Sequence, residues 1–183
     1  MTVRLSAILA AILAAATLRL VPHPPNFSPI DAMALFSGAY LARRWTAFLA
    51  PFAALLLSDA VLGFYHGVAT VYAAVALIVI IGWWVSSRRT PVRIGIAAVA
   101  SSVSFFVITN FGMWLFSGFY PLTTAGLVAC YVAAVPFFQN TVAGDLFYTV
   151  LLFGGFALAE HFVPRLRAGE PQTAQVATSA LSL

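Results

Sequence analysis

The chain is organised around residues Val21 to Phe36, which read VPHPPNFSPIDAMALF. Four prolines and the polar residues His23, Asn26, Ser28 and Asp31 follow directly on an alanine-rich apolar run. Prolines at this spacing cannot continue a helix, because each removes a backbone donor and restricts the residue before it. The stretch therefore predicts a shaped loop that separates two helices.

The composition is that of a membrane protein. Of the 183 residues, 62% are hydrophobic and 8% are charged, whereas soluble domains are roughly 25% charged. A bilayer core of about 30 Å needs roughly 20 residues per helix, so the chain has room for about six spans. We expect an all-α, polytopic six-helix bundle as a single domain over residues 1–167, followed by a disordered cytoplasmic tail at 168–183. No length remains for a soluble catalytic or nucleotide-binding domain.

The apolar runs predict the helices in turn. Ser28-Pro29-Ile30-Asp31 reads as a capping box that starts the second helix. The run Leu122 to Val135 lies between Pro121 and Pro136, and it predicts an extra short helix of its own. The six main helices are expected at about residues 3–21, 30–42, 45–64, 68–85, 94–110 and 141–163.

The arginines predict the topology. All nine basic residues are arginine, and they cluster between the apolar runs. With six crossings and both termini cytoplasmic, all but Arg19 lie on the inner face, as the positive-inside rule requires. A seventh crossing by Leu122 to Val135 would move Arg165 and Arg167 outside, so that segment is predicted to lie at the outer surface or to re-enter from it. The net charge of +4 therefore indicates topology, and no nucleic-acid partner is expected.

The polar residues other than arginine collect in the outer half of this topology, and the proline-rich loop lies on the same side. Polar groups at membrane depth are costly and usually face an interior cavity. We therefore predict a solute-binding site that opens outward. Its candidate residues are His23, Asn26, Asp59, Tyr65, His66, Asn110, Trp114, Gln139, Asn140 and Asp145.

Each candidate also has an ordinary structural interpretation. Asp31 is assigned to the capping box rather than to a ligand, and Asp145 meets either the positive end of a helix dipole or a ligand. Asp59 lies over one turn inside an apolar helix, so it must be paired, protonated or used. The amides and Trp114 offer hydrogen bonds and stacking to a planar polar solute, or they satisfy backbone groups freed at helix breaks.

No catalytic residue and no cofactor are predicted. Ser101, Ser102 and Ser104 have no apparent base partner, and small hydroxyl residues usually serve helix packing in lipid. The lone Cys130 excludes an intramolecular disulfide and a cysteine-only metal cage. Two loop histidines lie on the same side as Asp59, but their spacing matches no metal motif.

Three stretches resemble a known group of proteins: PHPPNFSPIDAMALF, LLLSDAVLGF and VPFFQNTVAGDLFYTVLLFG. They are similar to a family of small bacterial membrane proteins related to S components, the substrate-binding subunits of energy-coupling-factor (ECF) transporters. The resemblance covers about Leu20 to Gly155 and implies a six-helix bundle in the bacterial inner membrane with a vitamin-sized pocket near the outer face. It also implies that an alanine motif on helix 1, here Ala7, Ala11 and Ala15, docks a membrane-embedded coupling subunit that works with two ATPases.

Cobalamin is the solute that the resemblance suggests. Members of the cobalamin branch resemble this chain in a histidine of the first outer loop and an aspartate that ends helix 3, here His23 and Asp59. The chain departs from that branch because residues 60–85 contain no cysteine, where some members place a cobalt contact.

The expected function is therefore solute binding for uptake of a vitamin or similar micronutrient, without enzymatic activity. Two other classes remain open on the residues alone. One is a small intramembrane metal-dependent enzyme that uses His23, Asp59 and His66. The other is a ligand-free assembly or scaffold subunit whose outer polar groups contact another protein.

Overall fold

The structure, a computed structural model, describes residues 3–18, 22, 24–41, 45–63 and 67–167. These segments are all-helical and contain no strand. They form six helices: α1 Val3–Leu18, α2 Ile30–Tyr40, α3 Thr46–Leu62, α4 Val68–Ser86, α5 Pro91–Phe116 and α6 Thr124–Phe162. Within α6, Val150–Gly154 is a π-helical segment between α-helical parts at Thr124–Thr149 and Gly155–Phe162, and a short 3₁₀ turn follows at Pro164–Leu166.

Within the described segments, three helices are long and apolar enough to cross a membrane: α4, α5 and the 39-residue α6. Two more, Val3–Leu18 and Thr46–Val61, are apolar but shorter. Because hydrocarbon can satisfy no backbone polar group, long apolar helices are the segments that a bilayer accepts. The chain is therefore a membrane protein, in agreement with its composition.

Helix α2 is the centre of the bundle. Each of its 11 residues from Ile30 to Tyr40 is buried, which is expected of a helix that is apolar all round. Near its C-terminal end Gly38 meets Gly82 of α4, and a Cβ added to Gly38 would lie 2.9 Å from the Gly82 Cα. These two glycines bring the backbones of α2 and α4 together in the way that small residues do in membrane helices. With a rise of about 16 Å, α2 is only half as long as a bilayer core is thick.

One end of the bundle, here called the arginine end, gathers the described arginines. Arg4 at the start of α1 pairs with Glu160 near the end of α6 at 2.5 Å and also donates to the Leu166 carbonyl. Arg89 donates to the carbonyl of Ala39 and lies 4.4 Å above the ring of Tyr40. The other arginines that the structure describes, at the same end, are Arg88, Arg93, Arg165 and Arg167.

The opposite end carries the proline loop, defined here as residues 22 and 24–29. The loop lies against α6, where Phe27 contacts the rings of Phe147 and Tyr148 with centroids 5.8 and 5.6 Å away. Its backbone passes close to Gly144, where an added Cβ would lie 3.1 Å from the Phe27 Cα. The loop is therefore folded down on the bundle and leads directly into the buried helix α2.

The prediction of a separate short helix at Leu122 to Val135 is wrong. That run is the first part of α6, and Pro136 lies inside the helix. A proline removes one backbone hydrogen bond, and a membrane helix tolerates this loss because neighbouring groups can satisfy the freed carbonyl. The chain therefore has no separate surface or re-entrant segment at Leu122 to Val135, and the ends of its six described helices alternate along the bundle.

Helix α5 also continues beyond the predicted break near Asn110. The Asn110 amide donates to the Phe106 carbonyl at 2.8 Å, and the Thr109 hydroxyl donates to the Phe105 carbonyl at 2.7 Å. Polar side chains that bond to their own helix do not end it. The helix runs to Phe116, and an exposed connection at residues 117–123 then leads into α6.

Candidate functional site

The structure does not gather all the predicted site residues into one outward pocket. His23, Tyr65 and His66 lie outside the described residues, so their predicted roles stay predictions. The remaining seven fall into separate places: the proline loop and the part of α6 beneath it, the α3–α4 contact, the α5–α6 hairpin, and the interior of the bundle.

Two predicted residues belong to the proline loop and its contact with α6. Asn140 donates from Nδ2 to the Pro25 carbonyl at 3.1 Å, which fastens the loop to α6. Asn26 is exposed and has a backbone φ of 63°, a left-handed conformation that asparagine tolerates better than most residues. The pair therefore shapes the loop, and the Asn26 side chain faces solvent.

Asp59 is buried at the contact of α3 with α4. Its Oδ2 accepts a hydrogen bond from the Tyr72 hydroxyl at 3.2 Å, and the residue is 1% exposed. The Tyr72 hydroxyl is therefore one partner of this carboxyl, and its predicted role in ligand binding stays a prediction. The carboxyl nevertheless ends α3 on the same side of the bundle as the proline loop.

Three predicted residues on the α5–α6 hairpin do not converge on a common space. Asn110 bonds to its own helix, and Trp114 donates from Nε1 to the Pro121 carbonyl at 3.0 Å. Gln139 is exposed on α6. For Asn110 and Trp114 the structure favours the alternative interpretation, in which polar side chains satisfy backbone groups.

Asp145 lies in the interior, where it meets groups from three helices. Its Oδ2 is 2.5 Å from the Ser102 hydroxyl of α5. Asp31 at the start of α2 approaches closely enough for the two carboxyl groups to interact electrostatically. Thr149 follows Asp145 by one helical turn on the same face of α6. These four residues, Asp31, Ser102, Asp145 and Thr149, are called the interior polar cluster below.

Two oxygens of the interior polar cluster have no hydrogen-bond partner. They are Asp31 Oδ1 and Thr149 Oγ1, on residues that are 5% and 3% exposed. Buried polar atoms are almost always paired, so each exception calls for an explanation. The interior polar cluster therefore has hydrogen-bonding capacity that no described protein group uses.

The assignment of Asp31 to a capping box is wrong. No side chain caps α2; Pro29 stands at its N-cap, and the amide of Ile30 makes only a long contact of 3.4 Å to the Ser28 hydroxyl. The Asp31 side chain is instead buried within electrostatic range of Asp145. The signal that could have revealed this is the polarity of Asp31, Ser102, Asp145 and Thr149 inside otherwise apolar helices.

The alanine stripe of α1 packs inward. Ala15 is buried, and Ala7 and Ala11 are half-buried against the core. This is the packing that small residues permit, and the docking role that the resemblance implies for the stripe stays a prediction.

A wide apolar groove of about 890 Å³ lies beside that stripe, between α1 and α3. Its wall includes Leu9 and Leu13 from α1 and Leu49 and Leu57 from α3. Leu13, Leu49 and Leu57 are more than half exposed, at 64%, 68% and 68%. The groove suits a hydrocarbon chain or the apolar face of another helix better than a polar solute.

The described residues contain no group of three histidine, cysteine or acidic side chains that could hold a metal ion. Cys130 is a buried free thiol whose sulfur lies 3.4 Å from the Asn110 carbonyl. Neither observation identifies a catalytic centre in these parts of the chain.

Comparison with known proteins gives a family but no activity. No curated protein and no solved structure matches the chain significantly. One family model matches residues 1–166, nearly the whole of the described structure. The chain therefore belongs to the family of unknown function DUF6580.

Proposed function

We propose that the chain is a membrane-embedded subunit that binds a small solute for uptake, similar to an ECF transporter S component. The observation that carries the proposal is the half-length helix α2, which begins in the interior of the bundle beneath the proline loop. Transporters place solute sites where a membrane helix is interrupted, because the free helix end and its loop provide polar groups at membrane depth. Helix α2 is such a helix, and all its residues are buried.

The solute site proposed here lies between the proline loop and the helix ends around it. Asn140 fastens the loop at Pro25, and Asp59 with Tyr72 forms a polar pair at the α3–α4 contact. The predicted contacts of His23, Tyr65 and His66 belong to the same end of the chain's topology. A vitamin-sized solute, with cobalamin as one candidate, would replace the loop contacts with α6 when it binds.

The apolar groove between α1 and α3 supports the second part of the proposal, that a coupling subunit docks on this protein. The sequence holds no phosphate-binding loop, and we therefore assign ATP hydrolysis to another subunit. The groove is flanked by α1, the helix that the resemblance assigns to docking, and its exposed leucines fit the apolar face of a coupling subunit that works with two ATPases. The proposal places the protein in the bacterial inner membrane with the arginine end cytoplasmic.

Calorimetry of the purified full chain against a panel of vitamins, cobalamin among them, tests solute binding. We expect one vitamin to bind, and we expect Asp59→Asn, Asn140→Ala and His23→Ala each to weaken that binding by roughly tenfold. Asn110→Ala is the matched control, because Asn110 bonds to its own helix. Equal affinity in all four variants would show that the site is placed wrongly, and no binding across the panel would contradict the function.

Co-purification from the native membrane tests whether a coupling subunit and its ATPases bind to this protein. We expect ATPase subunits to accompany the wild-type chain, and Leu57→Trp, which narrows the groove, to reduce their yield. Ile96→Trp is the control, because Ile96 is similarly exposed, at 57%, but lies on α5 away from the groove. Equal yields for the two variants would remove the groove from the proposal.

A further inference from the structure

The interior polar cluster has chemistry that a solute site beneath the loop does not need. Its four side chains offer oxygen atoms only, from two carboxyl groups and two hydroxyl groups. Asp31 and Asp145 are 5% and 3% exposed, so they share an apolar interior in which two negative charges repel each other and lose their hydration. A positive charge from elsewhere is needed to offset them.

The described arginines do not supply that charge. Arg4 pairs with Glu160, and Arg89 reaches only the Ala39 carbonyl and the Tyr40 ring. Both sit at the arginine end, and from Tyr40 back to Asp31 helix α2 rises about 13 Å. Among the described residues, no side chain therefore offsets the two carboxyl groups, and a cation from solution can supply the compensating charge.

Two unpaired oxygens show where such a cation would bind. Thr149 lies on α6 between Asp145, which meets the start of α2, and Phe153, which packs on Phe36 of α2 with ring centroids 5.2 Å apart. The face of α6 that carries Thr149 is therefore turned toward α2. Its Oγ1 and Asp31 Oδ1 are both buried and without a hydrogen-bond partner, and the Thr149 hydroxyl is an observation independent of the acidic pair.

We propose that Asp31, Asp145, Ser102 and Thr149 form a binding site for one small monovalent cation, a sodium ion or a proton, inside the membrane. Oxygen ligands from carboxylates and hydroxyls suit hard cations, and transporters bind coupling ions at the ends of interrupted helices. The Ser102 hydroxyl has a single hydrogen and two neighbours, Asp145 Oδ2 at 2.5 Å and the Ala98 carbonyl at 3.1 Å. It can therefore either donate to a carboxylate or accept from a carboxylic acid.

Other ionisable groups near this end of α2 are few among the described residues. Asp59 on α3 and Tyr72 on α4 bond to each other, and Tyr148 on α6 packs on Phe27 of the proline loop. Helix α5 presents Ser102 and no ionisable side chain there. A response to sodium or pH that disappears with Asp145 would accordingly identify the cluster.

Thermal unfolding of the purified full chain in detergent tests this inference without any solute. Sodium chloride is exchanged for choline chloride at constant ionic strength, and the series is repeated across a range of pH. For a sodium site we expect a saturable rise in melting temperature with sodium at fixed pH. For a proton site we expect a rise on acidification that sodium does not alter.

Variants decide whether the response belongs to the cluster. We expect Asp145→Asn to abolish it and the nearly isosteric Thr149→Val to weaken the apparent affinity by roughly tenfold. Ser37→Ala, a buried hydroxyl at the arginine end, should keep the wild-type response. If Asp145→Asn fails to fold, the Thr149→Val variant and direct binding of radioactive sodium to the wild type still test whether the cluster binds a cation. No response to either cation, or an unchanged response in Thr149→Val, would overturn the inference.

Discussion

The two ends of helix α2 differ in how their polar groups are satisfied. At the arginine end, Arg89 caps the Ala39 carbonyl and Ser37 donates to the Ala47 carbonyl at 2.8 Å. At the other end, the Asp31 carboxyl keeps an unpaired oxygen although it is just as deeply buried. One end of α2 is therefore held by hydrogen bonds from Arg89 and Ser37, whereas the other end keeps a carboxyl oxygen without a partner.

The difference separates buried polar groups that stabilise the bundle from buried polar groups that are available to a ligand. Paired buried groups hold helices together, and removing one partner is costly. Unpaired buried groups reduce stability and persist where a ligand satisfies them or where they are useful in another state. Substitutions at the two ends should therefore change stability with opposite sign.

The largest effect is expected at the close backbone contact between α2 and α4. Gly82→Val places a branched side chain against the Gly38 backbone, where even a Cβ would lie 2.8 Å from the Gly38 Cα. We expect a loss of about 3 kcal/mol of stability or a failure to fold, because backbone atoms cannot yield as a flexible side chain can. Thermal unfolding measures it. Gly154→Ala is the control, since an added Cβ there meets nothing within 4 Å; similar melting temperatures for the two would refute the close approach.

The arginine end should lose stability when its ion pair is broken. Arg4→Met keeps an apolar stem but leaves Glu160, whose side chain is 24% exposed, without its partner. We expect a loss of about 2 kcal/mol in denaturant or heat, discounted from a fully buried pair because both groups retain some solvent contact. Arg88→Met, at an exposed position, should change stability little. If Arg4→Met left the stability unchanged, the ion pair of Arg4 with Glu160 would not stabilise the arginine end.

The opposite end should gain stability when its acidic group becomes apolar. Asp31→Leu removes an unpaired buried oxygen at similar volume, so we expect a gain of about 1 kcal/mol at neutral pH and without sodium. The matched variant is Arg4→Met, which should shift the unfolding midpoint the other way. A destabilised Asp31→Leu protein under these conditions would mean that the carboxyl has a structural partner.

The smallest effect compares two buried hydroxyl groups. Thr149→Val deletes an unpaired hydroxyl and is expected to raise stability by about 0.5 kcal/mol, whereas Ser37→Ala deletes a bonded one and should lower it by about 1 kcal/mol. Unfolding curves of the two variants, recorded side by side without sodium, measure the difference. Changes of the same sign would contradict the assignment of bonded and unbonded ends.

Much of the helical layout could be predicted from the sequence because apolar runs and arginine clusters report it directly. The prolines at 22, 24, 25 and 29 marked the loop, and the short run after Ile30 predicted a helix of less than full length. The prediction that a helix ends at Pro136 was wrong because proline usually ends helices in water, whereas packing inside a membrane keeps the helix continuous through the proline.

The candidate site was only partly predictable, because side-chain partners are a tertiary property. Asn110 and Trp114 look like ligand contacts in the sequence, yet the nearest backbone carbonyls satisfy them. Asp31 matched a local capping pattern, and only the approach of α6 brings its carboxyl within electrostatic range of Asp145. The local sequence pattern predicted a capping role for Asp31, but the long-range contact with α6 determines the environment of its side chain.

Two tryptophans lie at opposite ends of α5: Trp84, at the end of α4, and Trp114 on α5 itself. Trp84 stacks with Arg93 near the beginning of α5, with the guanidinium carbon 4.1 Å from the ring, and Trp114 lies near its other end. From Arg93 to Trp114 the helix rises about 32 Å, which matches a hydrocarbon layer of about 30 Å. Since indole rings settle at membrane interfaces, the two rings fix the depth of α5 in the bilayer. A bilayer with a thinner hydrocarbon core should therefore tilt this helix before it disturbs the buried α2.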